Sequence, residues 1–141
     1  MNSTIKRLNH LLGEIEGLYH DISLKLGLSD SISKILYTLY IEEGRCPLSL
    51  LSRQNGLSKQ TVNSAIRTLE EQGVVILESA GGKNKDVLLT ESGKTFAKQT
   101  AAQIVEIENR IFERWSAEEA HQYLNLTEKY LASLQRELND L

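Results

Sequence analysis

The sequence is short of the residues that most site chemistry is built on. It has one cysteine, Cys46, so no disulfide can close within the chain. A cytoplasmic setting is the simplest expectation from such cysteine usage. The three histidines, His10, His20 and His121, have no metal-ligand spacing, and no further cysteine could complete a zinc site. No glycine-rich phosphate cradle and no nucleophile–base set stands out, so the chain is not expected to be an enzyme or to hold a cofactor. No apolar run approaches the ~20 residues of a membrane span. The N-terminal stretch MNSTIKRLNHLLGEIEGLYH is amphipathic and carries acids early, unlike a signal peptide.

What is present suits one soluble domain. The 141 residues are 40% hydrophobic and 25% charged, which rules out global disorder. Net charge is −3, unfavourable to a polyanionic partner until its distribution is considered. Residues 45–90 carry six cations (Arg45, Arg53, Lys59, Arg67, Lys83, Lys85) less four acids (Glu70, Glu71, Glu78, Asp86), a net of +2. The flanks carry 10 basic residues less 15 acidic ones, a net of −5. A mildly basic centre fits a local phosphate-binding face, and does not fit a protein that coats nucleic acid indiscriminately.

Residues 3–26 place Ile5, Leu8, Leu11, Leu12, Ile15, Leu18, Tyr19 and Ile22 at steps of three and four, one face of a long helix. Ser3 is its expected N-cap. Gly13 and Gly17 inside it fit a close helix–helix approach or tolerated weak spots. Ser29 or Asp30 caps a second helix over 30–43, whose acidic end at Glu42-Glu43 is expected to fray or face a basic neighbour. Arg45-Cys46 is too short to count as a strand by itself. Pro47 is expected at the first position of a short helix that runs to about Asn55.

Residues 47–90 are the centre of the chain. Gln54-Asn55-Gly56 is a turn, and Ser58 caps a helix over 59–72. There Val62, Ala65, Ile66 and Leu69 form a buried stripe. Lys59, Gln60, Asn63, Ser64 and Arg67 share the opposite face, which has no acid until Glu70. Amides, hydroxyls and arginine suit the major groove of DNA, although such a face also fits ordinary solvation. Val74–Leu77 and Val87–Leu89 are β-prone and separated by ESAGGKNKD. They read as a two-stranded ribbon whose tip carries Lys83, Asn84 and Lys85, able to reach a minor groove or its phosphates. Thr90 caps one long helix to Trp115, and Ser116-Ala117-Glu118-Glu119 opens the last helix as a capping box. The apolar surface of these helices exceeds what a small core can cover, which calls for a second copy of the chain.

The fold class is therefore mainly α with a small β-wing, a winged helix-turn-helix flanked by long dimerisation helices. In order and in the stretch LSKQTVNSAIRTLEEQGVVILESAGGKNKDVLLTESGK the chain resembles the MarR family of bacterial transcriptional regulators. The matching features are the capped LS-xx-TV start, the LEEQG end, the β-run and the LT-ExG opening of the long helix. The resemblance implies a single domain over 1–141, with dimerisation helices at 1–28 and 91–141 and the winged helix at 30–90. It implies a homodimer on palindromic double-stranded DNA, often a repressor relieved by a small ligand. Ser58, Lys59, Gln60, Thr61, Asn63, Ser64 and Arg67 then fall on the recognition helix, and Lys83 falls where the family commonly has a wing arginine. Two positions depart from the pattern. Gly81 replaces the usual wing aspartate, and Asn63-Ser64 replaces a hydroxyl residue followed by arginine. The competing expectation is a winged helix that serves protein interaction or dimerisation and has no operator. It is motivated by the low net basic charge.

Two further groups of residues are candidate sites. Cys46 fits a buried core thiol better than an oxidant sensor, which needs exposure and a lowered pKa. Tyr19, His20, Tyr37 and Tyr40 are candidate linings of an effector pocket, or core residues with satisfied polar tips.

Overall fold

The computed structural model describes residues 2–141. Seven helices and three strands follow one another: α1 (Ser3–Lys25), α2 (Asp30–Ile41), β1 (Arg45–Pro47), α3 (Leu48–Asn55), α4 (Lys59–Glu71), β2 (Val75–Ser79), β3 (Lys85–Leu89), α5 (Glu91–Gln99), α6 (Ala101–Glu113) and α7 (Ala117–Asn139). The chain forms two compact units, one reaching to Val105 and the other spanning Glu106–Leu141.

The first unit holds the core. Ile35, Leu36 and Leu39 of α2, Leu51 of α3, Val62 and Leu69 of α4, Val75 of β2 and Val87 of β3 are fully buried together. The stripe expected on α4 is the buried one, residue for residue: Val62, Ala65, Ile66 and Leu69. Ser29 caps α2 and Ser58 caps α4, each accepting a backbone N–H from three residues on. That satisfies a donor the first turn would otherwise leave unpaired.

The structure corrects the sequence reading at five places. Asn2, not Ser3, caps α1, accepting the Thr4 N–H at 2.8 Å. α2 ends at Ile41, two residues before the expected Glu43, which adopts a φ of 61° while the Gly44 N–H returns to the Leu39 carbonyl at 2.7 Å. Arg45–Pro47 is a strand, pairing antiparallel with β3 through Arg45↔Leu88, Cys46↔Val87 and Pro47↔Asp86. The sheet order is thus β1-β3-β2, and Pro47 sits on an edge where its missing N–H is tolerated. Pro47 is extended (φ −61°, ψ 141°) and precedes α3 as its cap residue instead of occupying its first turn. Finally, the long helix is interrupted. Thr100, at φ −125° and ψ −85°, separates α5 from α6, and its hydroxyl donates to the Phe96 carbonyl at 2.8 Å. Such back-bonding competes with the helical ladder and bends helices.

α1 meets α2 through polar pairs. The Ser23 hydroxyl donates to Ser33 at 2.9 Å in a buried contact, Lys34 reaches Glu16 at 3.5 Å, and His20 Nδ1 lies 2.9 Å from both carboxylate oxygens of Asp30. The hydrogen bond and charge of Asp30 raise the His20 pKa above the ordinary 6.5. A raised histidine pKa means the contact acts in full below pH 6.5 and is lost as pH rises through the folded value. An NMR titration of the His20 ring is expected to give a midpoint above 6.5, and Asp30→Asn is expected to return it to the ordinary range. An unshifted midpoint in the unaltered protein would disprove the pairing in solution.

Otherwise α1 presents its apolar stripe to solvent: Ile5, Leu12 and Leu18 are each at least half exposed, and a Cβ added at Gly13 or Gly17 would meet no other part of the chain within 4 Å. In the second unit, Ser116 and Glu119 form the expected capping box. Phe112, Trp115 and Tyr123 cluster edge-on, with ring centroids 5.0–6.4 Å apart. α7 buries no residue.

Candidate nucleic-acid interface

The helix-turn-helix is set by a short run of local bonds. Gly56 takes the left-handed conformation (φ 62°) that ends α3, a geometry costly for a residue with a Cβ. Asn55 ties the turn to the core, donating to the Leu51 carbonyl at 2.9 Å and to the Thr38 hydroxyl at 3.0 Å. The Ser52 hydroxyl donates to the Leu57 carbonyl. The second helix, α4, is thereby fixed with one polar face free.

That face divides in two. Lys59 and Asn63 line a cleft of about 650 Å³, together with Lys83, Asn84 and Lys85 of the wing. Gln60, Thr61 and Ser64 line a separate shallow depression beside Ser29 and Ser31 at the start of α2. Arg67 stands exposed one turn further along and lines neither. Ser58 is committed to its cap: its oxygen accepts the Thr61 N–H at 3.1 Å, and its hydroxyl donates to Thr61 Oγ1 at 2.9 Å. Its proton is therefore in use, whereas that of the Thr61 hydroxyl is still available.

Sequence reasoning missed the contribution of α3. Ser49, Ser52 and Arg53 form the third wall of the cleft. Their spacing of three and four puts them on one helical face, and that polar stripe was the available signal. The wing closes through Ala80 N–H to Asn84 O and Asn84 N–H to Gly81 O, both 3.0 Å. Gly81 (φ 109°) and Gly82 (φ 58°) supply the reversal.

The cations differ in availability. Arg45 is held by two acids: its Nε donates to Asp86 at 3.0 Å and its Nη2 to Glu78 at 3.2 Å. Among the described residues, Arg53, Lys59, Arg67, Lys83 and Lys85 make no ion pair. Within residues 45–90, the residues with free charge are thus those on the cleft and on the outer face of α4.

The other candidate residues lie elsewhere. Tyr37 and Tyr40 are half-buried against the core, and Tyr19 and His20 are exposed on α1. None of the four lines the cleft. Cys46 is 2% exposed, and burial, with Glu42 and Asp86 adding to it, pushes its thiol up to about 11. It is held as a neutral thiol at physiological pH, the unreactive form.

Residues 26–83 match the sequence model of the MarR family. A search of curated proteins gives no match. Among solved structures, the chain is similar to NMB1585, a MarR family regulator from Neisseria meningitidis, at a TM-score of 0.87 and 20% identity, covering 99% of each chain. It is also similar to S. aureus MepR in a DNA complex (TM-score 0.68, 19% identity, 95% of this chain and 98% of that one). A third is NadR bound to 4-hydroxyphenylacetate (TM-score 0.69, 18% identity, 95% and 93%). Residues 26–83 thus match the MarR family model, and the fold of the chain is similar along its length to those of MarR regulators.

Proposed function

We propose that the protein is a homodimeric, sequence-specific DNA-binding transcriptional regulator, acting in the cytoplasm as a repressor whose hold on DNA a small ligand relieves. Residues 1–28 and 91–141 serve as the dimerisation helices around the winged helix at 30–90. The observation that carries the reading is the convergence of unpaired cations from α3, α4 and the wing on one cleft, beside an α4 face free of acids up to Glu70. Gln60, Asn63, Ser64 and Arg67 would meet base edges, Ser58, Lys59 and Thr61 the phosphates at the start of α4, and Lys83, Asn84 and Lys85 the phosphates or minor groove. MepR, similar in fold, is known in complex with DNA, and NadR with a small aromatic acid; both support the choice of partners. An effector contact at Tyr19, His20, Tyr37 or Tyr40 belongs to the same proposal.

The test is a salt-titrated anisotropy assay on duplexes from the region upstream of the gene. Arg67→Ala is expected to cost roughly 1–3 kcal/mol and to relax sequence preference, whereas Lys83→Ala weakens all sequences alike and lowers the salt slope by about 1. Unchanged binding by the Lys59→Ala/Arg67→Ala double variant would refute this reading face. The rival, an interaction module with no operator, draws on the net charge of −3. It is favoured if no duplex is retained even at low salt.

A further inference from the structure

The wing carries two acids as well as two lysines, and Asp86 lines the same cleft as Lys83 and Lys85. A phosphate drawn to those lysines would meet this carboxylate. Glu78 lies directly across from Asp86 in the ladder, so two negative charges stand side by side on β2 and β3. Like charges directly opposite are unfavourable within a sheet and would also repel a polyanion. The chain answers both problems from the third strand. Arg45 on β1 pairs with Leu88, two residues beyond Asp86, so its side chain shares the outward face of the sheet with both acids. It reaches both, at 3.0 Å to Asp86 and 3.2 Å to Glu78. Arginine suits this task, since its planar fork serves two acceptors with a charge it never loses.

We propose that Arg45 is a positioning residue for DNA binding: it touches no nucleic acid, and it keeps Glu78 and Asp86 from repelling the phosphate that Lys83 and Lys85 attract. The inference rests on the function proposed above. It separates Arg45 from the other cations of residues 45–90, whose charge is free to meet DNA. It also gives a purpose to the three-residue strand β1, which places the guanidinium where no residue of the wing itself could supply it. The effect is electrostatic, since Arg45 and Glu78 are about half exposed and an ion pair open to solvent on that side adds little to fold stability.

The experiment compares Arg45→Gln, Arg45→Gln/Glu78→Gln/Asp86→Asn and Arg45→Gln/Glu70→Gln/Glu71→Gln on a fluorescein-labelled upstream duplex over a range of potassium chloride. The last two variants have equal net charge, but only the first of them neutralises the wing acids. Arg45→Gln is expected to bind about tenfold more weakly at low salt, with a melting temperature close to wild type. Neutralising Glu78 and Asp86 is expected to restore wild-type affinity, while neutralising Glu70 and Glu71 leaves the defect largely in place. A purely mechanical brace predicts no rescue, since the triple variant lacks the brace as well. An unrescued defect overturns the proposal, as does a salt slope lowered by about 1, which marks a direct phosphate contact. Wild-type binding with Arg45→Gln unaffected overturns this inference alone. Absence of wild-type binding to any duplex overturns the parent function with it.

Discussion

Gly93→Ala is expected to destabilise the winged helix by roughly 3 kcal/mol or more, although alanine is the better helix former. Gly93 lies in the first turn of α5, where the helix starts against the strand that leads into the wing. A Cβ added there would stand 2.0 Å from the Val74 carbonyl oxygen and 2.9 Å from its carbon. Neither atom can give way. The Val74 carbonyl accepts the Thr90 N–H at 3.0 Å. The Thr90 hydroxyl donates to the Gly73 carbonyl at 2.6 Å and accepts the Gly93 N–H at 3.0 Å. Ser92 donates to Gly73 as well, at 3.0 Å. A methyl group must therefore either open this knot or push β2 off the sheet. Overpacking alone costs about 1–3 kcal/mol, and loss of the bonded network adds to it. Thermal unfolding should show a midpoint lower by about 10 °C. A midpoint within a degree or two of wild type would show that the junction yields more easily than its bonds suggest. The same contact explains the glycine in the LT-ExG pattern: the helix can lie this close to the strand only if it has no side chain there.

The second large effect concerns α7. Tyr123, Leu124, Leu126, Tyr130, Leu131, Leu134 and Leu138 are each at least half exposed in the single chain. Fully burying a large apolar side chain contributes about 1.5–3 kcal/mol, and a little over half of each of these surfaces is still exposed, so this helix alone offers about 6–12 kcal/mol toward association. That is comparable with the ~4–15 kcal/mol association costs in lost freedom, before the stripe on α1 is counted. Leu131→Asp/Leu134→Asp removes two of these groups and adds two charges to the face. Sedimentation velocity is expected to show a dimer for the unaltered chain and a monomer for this variant. Affinity for a two-half-site duplex should fall about 100-fold, the typical scale of lost avidity. The winged helix, whose core lies entirely before Val105, should still melt cooperatively. A dimer that persists in this variant would remove α7 from the interface.

What could be read in the sequence was what local pattern decides. The α4 stripe, the Ser58 and Ser116 caps and the Gly56 turn depend on neighbours within four residues, and each stands as expected. The misreadings share a different cause. β1 is three residues long and has no strand signature; it exists because β3 presents an edge to it. The interruption at Thr100 follows from a threonine hydroxyl finding its own backbone at a buried position, inside a run whose apolar period continues unbroken. At the cleft, the lysines were visible and their accessibility was not. Arg45 counted toward the basic centre until its two partners, 33 and 41 residues away in sequence, were seen beside it. Arg53 counts toward the basic centre in sequence but was not placed at the site, because α3 was read only for the leucines it buries.

The lone cysteine has a practical consequence. Cys46 is paired with Val87 at the root of the wing, buried, and pushed up to about 11 by its surroundings. A thiol reagent can reach it only when the packing around it opens, as when β1 parts from β3, so its labelling rate in the native protein reports such openings. The unaltered chain thus carries its own clock for wing motion, readable with and without DNA and requiring no engineered label.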